Sequence, residues 1–187
     1  MYLDRLLIQG RGVEIEAQPY LYGVTLLLLA SKYDELDDKI PYIKDFRKVS
    51  SRSNFTYDQV VQCESKVAHW LDWDLMVISP ENFTTTLLTF GVLFSDDQAP
   101  PKGETQKYLK SLRMFTEMFT DISLQSMEMQ QYEYSIQALG SVVAARKAKG
   151  LANPWTERLR RITGYQFEQV ESAFRKLYAR YEKIQAK

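Results

Sequence analysis

The sequence of 187 residues predicts an all-α protein built from two helical units in tandem. Apolar residues recur at a 3.6-residue helical period along most of the chain, and no segment alternates apolar and polar residues as a half-buried strand would. The same order of helix lengths, which is medium, long, short and medium, occurs twice and indicates an internal duplication. We therefore expect residues 1–78 to form the first unit and residues 79–187 to form the second.

Start and stop signals predict four helices in the first unit. Pro19 suits the first turn of a helix, and Thr56 can accept a hydrogen bond from the N-terminus of another. Gly10 and Pro41 favour helix ends. The predicted helices span residues 2–9, 19–36, 42–49 and 57–71, with a polar loop at 50–54.

Equivalent signals predict five helices in the second unit. Ser79 is a good N-cap and Pro80 suits the first helical position after it. Gly150 favours a helix end. The helix before it contains several small residues that permit close contact with a neighbouring helix, namely Ala138, Gly140, Ala144 and Ala145. The predicted helices span residues 80–94, 105–125, 132–149, 154–163 and 166–183, with a proline-containing linker at 95–103.

The charged residues are unevenly distributed although the formal net charge is zero. Residues 141–187 contain 11 Lys or Arg but only 4 Asp or Glu, so the rest of the chain is acidic. This polarity is a weak indication of a partner-binding surface. The longest apolar run, residues 21–30, is too short for a membrane span of about 20 residues, and the mixed charged and apolar start does not resemble a signal peptide.

The residue inventory argues against an enzyme, a metal protein or a disulfide-bonded protein. The single cysteine, Cys63, excludes an intrachain disulfide and suits a reducing compartment such as the nucleus or cytoplasm. One cysteine and one histidine cannot form a zinc cluster. Phosphate-binding glycine loops and nucleophile elbows are absent from the sequence. We expect no catalytic residues, cofactor or metal.

Three segments together resemble the cyclin family. They are LLLLASKYDEL at 26–36, ESKVAHWLDWDL at 64–75 and GLANPWTERLRRITGYQFEQV at 150–170. Their order and spacing also match that family, and the acidic stretch DELDDKIP resembles divergent cyclins of the cyclin J type. The resemblance implies two tandem cyclin-box repeats of five helices each, the first of which is expected to be truncated at its N-terminus and to lack its first helix.

The resemblance implies a regulatory subunit that binds and activates a cyclin-dependent protein kinase. In cyclins, a lysine and a glutamate of the first box hydrogen-bond the kinase, and these correspond to Lys32 and Glu64. The kinase αC helix packs on neighbouring apolar positions, and the cyclin performs no chemistry itself. The apolar positions correspond to Leu29, Tyr33, Ala68 and Leu75.

Departures from the family pattern leave alternatives open. Ala68 is smaller than the aliphatic residue that most cyclins have there, Tyr20 replaces a glutamine of the substrate-docking groove, and the Met-Arg-x-x-Leu docking helix is absent. One alternative is therefore a cyclin-fold scaffold, a structural subunit of a larger assembly without kinase activation. Another is a nucleic-acid binder like the TFIIB branch of this fold, which is disfavoured because the whole chain is neutral.

The conspicuous side chains also have simpler interpretations. Lys32 and Glu64 could pair with each other or be two solvated charges. The lone His69 is expected to be a surface or half-buried polar residue, and Cys63 to lie at the edge of a core. The remaining expectations are packing for Trp70 and Trp73 and a solvated helix face for Arg158, Arg160 and Arg161.

Overall fold

The computed structural model describes the backbone of residues 1–49, 55–94, 97 and 105–186 and, outside residues 47–49, their side chains. The predicted polar loop at 50–54 and most of the predicted linker at 95–103 lie outside these residues. Ten α-helices and no strand occur in the part of the chain that is described, so the all-α prediction is confirmed. The chain separates into two compact units, Met1–Val77 and Ile78–Lys187.

The first unit contains one more helix than the sequence pattern predicts. The additional helix, α2, is only six residues long and follows directly after the turn at Gly10, whose φ of 80° suits glycine. Its shortness and its polar N-terminal flank leave no periodic apolar signal to detect. The helices are α1 (Tyr2–Ile8), α2 (Gly12–Ala17), α3 (Pro19–Asp34), α4 (Ile43–Val49) and α5 (Tyr57–Trp70).

Helix α3 lies at the centre of the first unit because it is apolar on more than one side. On one side, Leu28 packs with Val60 of α5 and with Phe55. On another side, α3 packs against α1 and α5. Each fully buried aliphatic side chain of this kind contributes about 1.5–3 kcal/mol to stability. The buried side chains on this second side of α3 include Leu6, Leu26, Leu29, Val67 and Leu71.

The second unit has the five helices that the sequence pattern predicts. Two boundaries differ by three or more residues. The fourth helix begins at Glu157 rather than at 154, since Thr156 is its N-cap and accepts a hydrogen bond from the Leu159 amide, and the first helix ends at Phe90 rather than near residue 94. Gly91 follows with a φ of 96°, a conformation that ends the helix and that other residues rarely adopt. The helices are α6 (Pro80–Phe90), α7 (Thr105–Leu124), α8 (Tyr134–Ala148), α9 (Glu157–Thr163) and α10 (Phe167–Gln185).

Helix α8 occupies the centre of the second unit, where residues 137–146 are all buried. The small residues predicted to permit close packing do so. A Cβ atom added at Gly140 would lie 3.2 Å from the backbone nitrogen of Phe174 in α10. Because that distance is below normal van der Waals contact, glycine allows the two helices to approach more closely than alanine would.

A fully buried ion pair joins two segments of the second unit. The side chain of Arg146 has no solvent exposure and pairs with Asp97. Its Nη1 donates to Asp97 Oδ2 at 2.9 Å and to the Val92 carbonyl at 2.6 Å. Nη2 donates to Asp97 Oδ1 and Asn153 O, and Nε to Pro154 O. All five guanidinium donors are therefore satisfied, as a buried arginine requires.

Candidate functional site

Lys32 and Glu64 meet at one edge of the first unit. Lys32 lies in the last turn of α3 and Glu64 in the middle of α5, and the packing of these two helices brings the side chains together. Lys32 Nζ donates to Glu64 Oε1 at 2.7 Å and to Oε2 at 2.8 Å. The Lys32 side chain is 46% exposed and that of Glu64 is 16% exposed, so solvent reaches the pair from the lysine side.

The pair retains hydrogen-bonding capacity for a partner. An ammonium group has three N–H donors, and two of those of Lys32 are directed at Glu64. Each carboxylate oxygen of Glu64 accepts one bond and has a second lone pair. The edge can therefore donate to a partner's carbonyl group and accept from its N–H groups without breaking the internal pair.

The structure places the four apolar candidates at different depths. Tyr33 is 52% exposed beside Lys32 and presents its ring to solvent. Leu75 is half-buried against the core of the unit. Leu29 and Ala68 are buried, so their side chains support the edge from beneath. Of these four candidates, only Tyr33 and part of Leu75 are exposed to solvent.

Trp73 is a large surface group that the sequence pattern did not assign to the site. It was predicted to pack, but it is 63% exposed. Both Asp72 and Trp73 have left-handed backbone conformations, with φ of 53° and 57°, which cost about 1–2 kcal/mol each in non-glycine residues. The ring has an edge-to-face contact with His69 at 5.5 Å between ring centres. The only available signal was its position just beyond the end of α5, where a side chain has little to pack against.

The turn that carries Trp73 is anchored to α1. Arg5 Nη1 donates to the carbonyl oxygen of Asp74 at 2.6 Å, and Nη2 donates to Asp74 Oδ2 at 3.0 Å. The Tyr2 hydroxyl donates to the carbonyl oxygen of Leu75 at 2.7 Å, and burial raises the pKa of that phenol. These bonds fix the backbone of the turn, so the exposed Trp73 side chain is attached to a rigid segment.

Other conspicuous side chains have structural roles. Trp70 packs as predicted, stacked on Tyr22 with 5.8 Å between ring centres. His69 is exposed, and its Nδ1 lies 2.7 Å from the Ser65 carbonyl oxygen.

The arginines of α9 lie on a solvated helix face, as predicted. Hydrogen bonds from Arg160 and then Arg161 lower the pKa of Glu157 to about 2. Within the described residues, no group of three or more His, Cys, Asp or Glu side chains could hold a metal ion, and no helix is long and apolar enough to cross a membrane.

We predict that the thiol of Cys63 reacts slowly in the native protein. It is buried between α3 and α5, and burial raises its pKa. Because the thiolate is the reactive form, thiol–disulfide exchange should be at least about tenfold slower in the native chain than in denaturant. The rate of reaction with a chromogenic disulfide, measured with and without denaturant, checks this. Equal rates would show that the α3–α5 packing opens readily.

Several cyclins are similar to this chain along most of its length. A cyclin-J-like protein of Mus musculus is 25% identical over 98% of the chain, and cyclin-J of Xenopus laevis is 24% identical over 90%. The G2/mitotic-specific cyclin S13-6 of Glycine max is 27% identical over 98%. The chain spans about half or less of these relatives, namely 49%, 45% and 36% of their lengths.

Two family models match the chain in the same order as its two units. The model of the cyclin N-terminal domain matches residues 1–76, and the model of the cyclin C-terminal domain matches residues 85–187. These matches agree with the two helical units seen in the structure. They confirm the family that the three sequence segments predict. This chain belongs to the cyclin family.

Proposed function

We propose that the protein binds and activates a cyclin-dependent Ser/Thr protein kinase by packing on the kinase αC helix. The observation that carries this proposal is the edge formed by Lys32 and Glu64. There, Lys32 and Glu64 form a charged pair that can still hydrogen-bond a partner, and the next residue of α3, Tyr33, is exposed. Trp73 adds a second exposed aromatic group in the same unit. Aromatic and charged side chains of this kind are typical of the residues that dominate protein–protein interfaces.

Activation by such a contact requires no catalytic group on the cyclin side. A protein kinase is active only when its Lys–Glu ion pair, whose glutamate lies on αC, is formed. A partner that binds the inward position of αC more tightly than the outward one shifts the kinase towards its active state. Lys32 and Glu64 would fix the register of the contact, and the aromatic side chains would supply buried apolar area.

The proposal also assigns the setting in which the chain works. We place it in the nucleus or cytoplasm, where the free thiol of Cys63 is kept reduced. Its main partner is the kinase, and further subunits of a larger complex can join through the remaining surface. Nucleic acid is not a favoured partner, because the basic residues Arg160 and Arg161 already pair with Glu157.

A second candidate function is a cyclin-fold scaffold that does not activate a kinase. Two observations favour it: Lys32 and Glu64 already pair with each other in the free chain, and the side chains of Leu29 and Ala68 are buried. Affinity purification of the tagged chain, followed by mass spectrometry, separates the two functions. Recovery of a stoichiometric cyclin-dependent kinase supports activation, whereas recovery of other proteins without a kinase supports the scaffold.

We predict that Trp73→Ala weakens kinase binding more than it changes stability. The exposed ring would be buried by the partner, and loss of a buried aromatic anchor typically costs about 2 kcal/mol or more in binding. The free energy of unfolding should change by less than about 1 kcal/mol, because the ring is mostly exposed in the free chain. Isothermal titration calorimetry of the chain with the kinase measures the affinity, and denaturant unfolding measures the free energy of unfolding.

Met127→Ala is the matched control for this prediction, since Met127 is an apolar side chain of the second unit that is 86% exposed. This control should change neither the affinity for the kinase nor the free energy of unfolding. If Trp73→Ala binds the kinase as tightly as the unmodified chain, Trp73 lies outside the interface.

A further inference from the structure

A groove runs between the start of α3 and α5 of the first unit, away from the Lys32–Glu64 edge. Glu64 and Lys66 are two residues apart on α5, so their side chains point in directions about 200° apart around the helix. The groove has a volume of about 290 Å³. Three of its seven lining residues have amide side chains. The lining residues are Gln18, Leu21, Tyr22, Gln59, Gln62, Cys63 and Lys66.

Two cations lie on one aromatic ring at an end of this groove. Lys66 Nζ lies 4.5 Å from the centre of the Trp70 ring, and the guanidinium carbon of Arg11 lies 4.8 Å from the same centre. Tyr22 stacks on Trp70 with an angle of 8° between the ring planes. The two cation–π contacts hold both charges in place beside the groove.

Within the described residues, these two charges are only loosely compensated. Lys66 Nζ donates to the Tyr22 hydroxyl at 3.1 Å, and among the described residues no carboxylate lies within 4.0 Å of it. Arg11 Nη1 is 3.6 Å from Glu14 Oε1, which is too long for a hydrogen bond. The Nε atom of Arg11 is buried and has no hydrogen-bond partner in the described part of the chain. A ligand with negative charge would therefore gain favourable contacts here.

The amide side chains indicate what kind of anion the groove suits. A glutamine side chain both donates and accepts hydrogen bonds, as a peptide backbone does. The Oε1 atom of Gln59 accepts from the Thr56 amide, which leaves its NH₂ group for a ligand, and Gln18 and Gln62 are exposed. Three glutamines that line one groove match the alternating carbonyl and amide groups of an extended chain better than they match a small ion.

We propose that this groove binds an extended peptide segment that carries successive acidic side chains. The glutamines contact the peptide backbone, and Lys66 and Arg11 pair with carboxylates beside the Trp70 ring. Because the groove and the Lys32–Glu64 edge lie on different sides of α5, a peptide can occupy one while a partner occupies the other. The proposal is independent of kinase binding, since it concerns the isolated chain.

Fluorescence anisotropy with a fluorescein-labelled hexaglutamate peptide tests the proposal. The full chain should bind this probe at low salt, more weakly as salt is added, and should not bind a labelled hexaglutamine. Arg11→Gln combined with Lys66→Gln should weaken binding at least about tenfold. The matched control is Lys107→Gln with Lys110→Gln, which removes the same charge from exposed positions of α7 and should leave binding unchanged.

Several outcomes would overturn the proposal. The first is that the unmodified chain does not bind hexaglutamate. The second is that both double variants lose the same amount of affinity for hexaglutamate. The third is that a single-stranded oligothymidylate binds at the same residues as tightly as hexaglutamate does. The last would indicate a general polyanion surface. If the Arg11 substitution disturbs folding, as circular dichroism would reveal, Lys66→Gln alone provides the test, because Lys66 is exposed. Unchanged binding of the probe by that variant contradicts the proposal.

Discussion

Replacement of Asp97 with alanine is expected to destabilise the second unit by about 3–5 kcal/mol. The substitution leaves the guanidinium of Arg146 buried and without its carboxylate, and an uncompensated buried charge carries a cost of this size. Asp97 also accepts a hydrogen bond from the Phe94 amide at 2.8 Å, so its loss frees a backbone group as well. Denaturant unfolding, followed by the fluorescence of Trp155 in a background where Trp70 and Trp73 are replaced by phenylalanine, measures the effect.

An exposed ion pair of the same unit provides the control. Glu171→Ala also removes the carboxylate partner of an arginine, but Arg175 is 74% exposed. Exposed pairs contribute about 0–1 kcal/mol, so this variant should unfold almost as the unmodified chain does. If Asp97→Ala costs no more than Glu171→Ala, the buried pair does not stabilise the unit. Adding Arg146→Met to Asp97→Ala should recover part of the lost stability, because no unpaired charge is then buried.

Substitution of Lys32 and Glu64 is expected to have the largest effect on kinase binding. Truncation of a hydrogen-bonded charge at an interface typically costs about 2–5 kcal/mol, which is roughly a 30-fold or greater loss of affinity. Because the two side chains pair with each other in the free chain, they act as a unit. The double variant should therefore lose little more affinity than either single variant, and a double-mutant cycle should show strong coupling.

The same substitutions should have little effect on folding. Lys32 is 46% exposed, and a pair at such a position stabilises a protein by at most about 1 kcal/mol. The double variant Glu171→Ala with Arg175→Ala removes an equivalent ion pair from the second unit and should bind the kinase normally. Additive losses from the two single variants would instead indicate that Lys32 and Glu64 contact the partner separately.

Much of the helical fold could be predicted because its signals are local. Pro19, Thr56 and Ser79 mark helix starts, and the structure shows the capping bonds of Thr56 and Ser79. The six-residue helix α2 could not be predicted, because it is too short for a periodic pattern. The early end of α6 depends on the conformation of Gly91, which the neighbouring sequence does not determine.

The site could be predicted only in part, because its contacts join residues that are far apart in the sequence. Lys32 and Glu64 were identified by resemblance, but their meeting follows from the packing of α3 on α5, which joins residues 32 positions apart. The exposure of Trp73 follows from two left-handed residues. The pairing of Asp97 with Arg146 joins residues 49 positions apart and leaves no local trace in the sequence.

The proposed function is activation of a cyclin-dependent kinase through the edge formed by Lys32 and Glu64. The most direct measurement is the rate at which a purified, otherwise inactive cyclin-dependent kinase phosphorylates a substrate peptide when the chain is added. The unmodified chain, and the variant of Glu171 and Arg175, should raise this rate by orders of magnitude. The variant with alanine at positions 32 and 64 should leave it near the rate of the kinase alone at the same concentration. Equal activation by that variant would contradict the account.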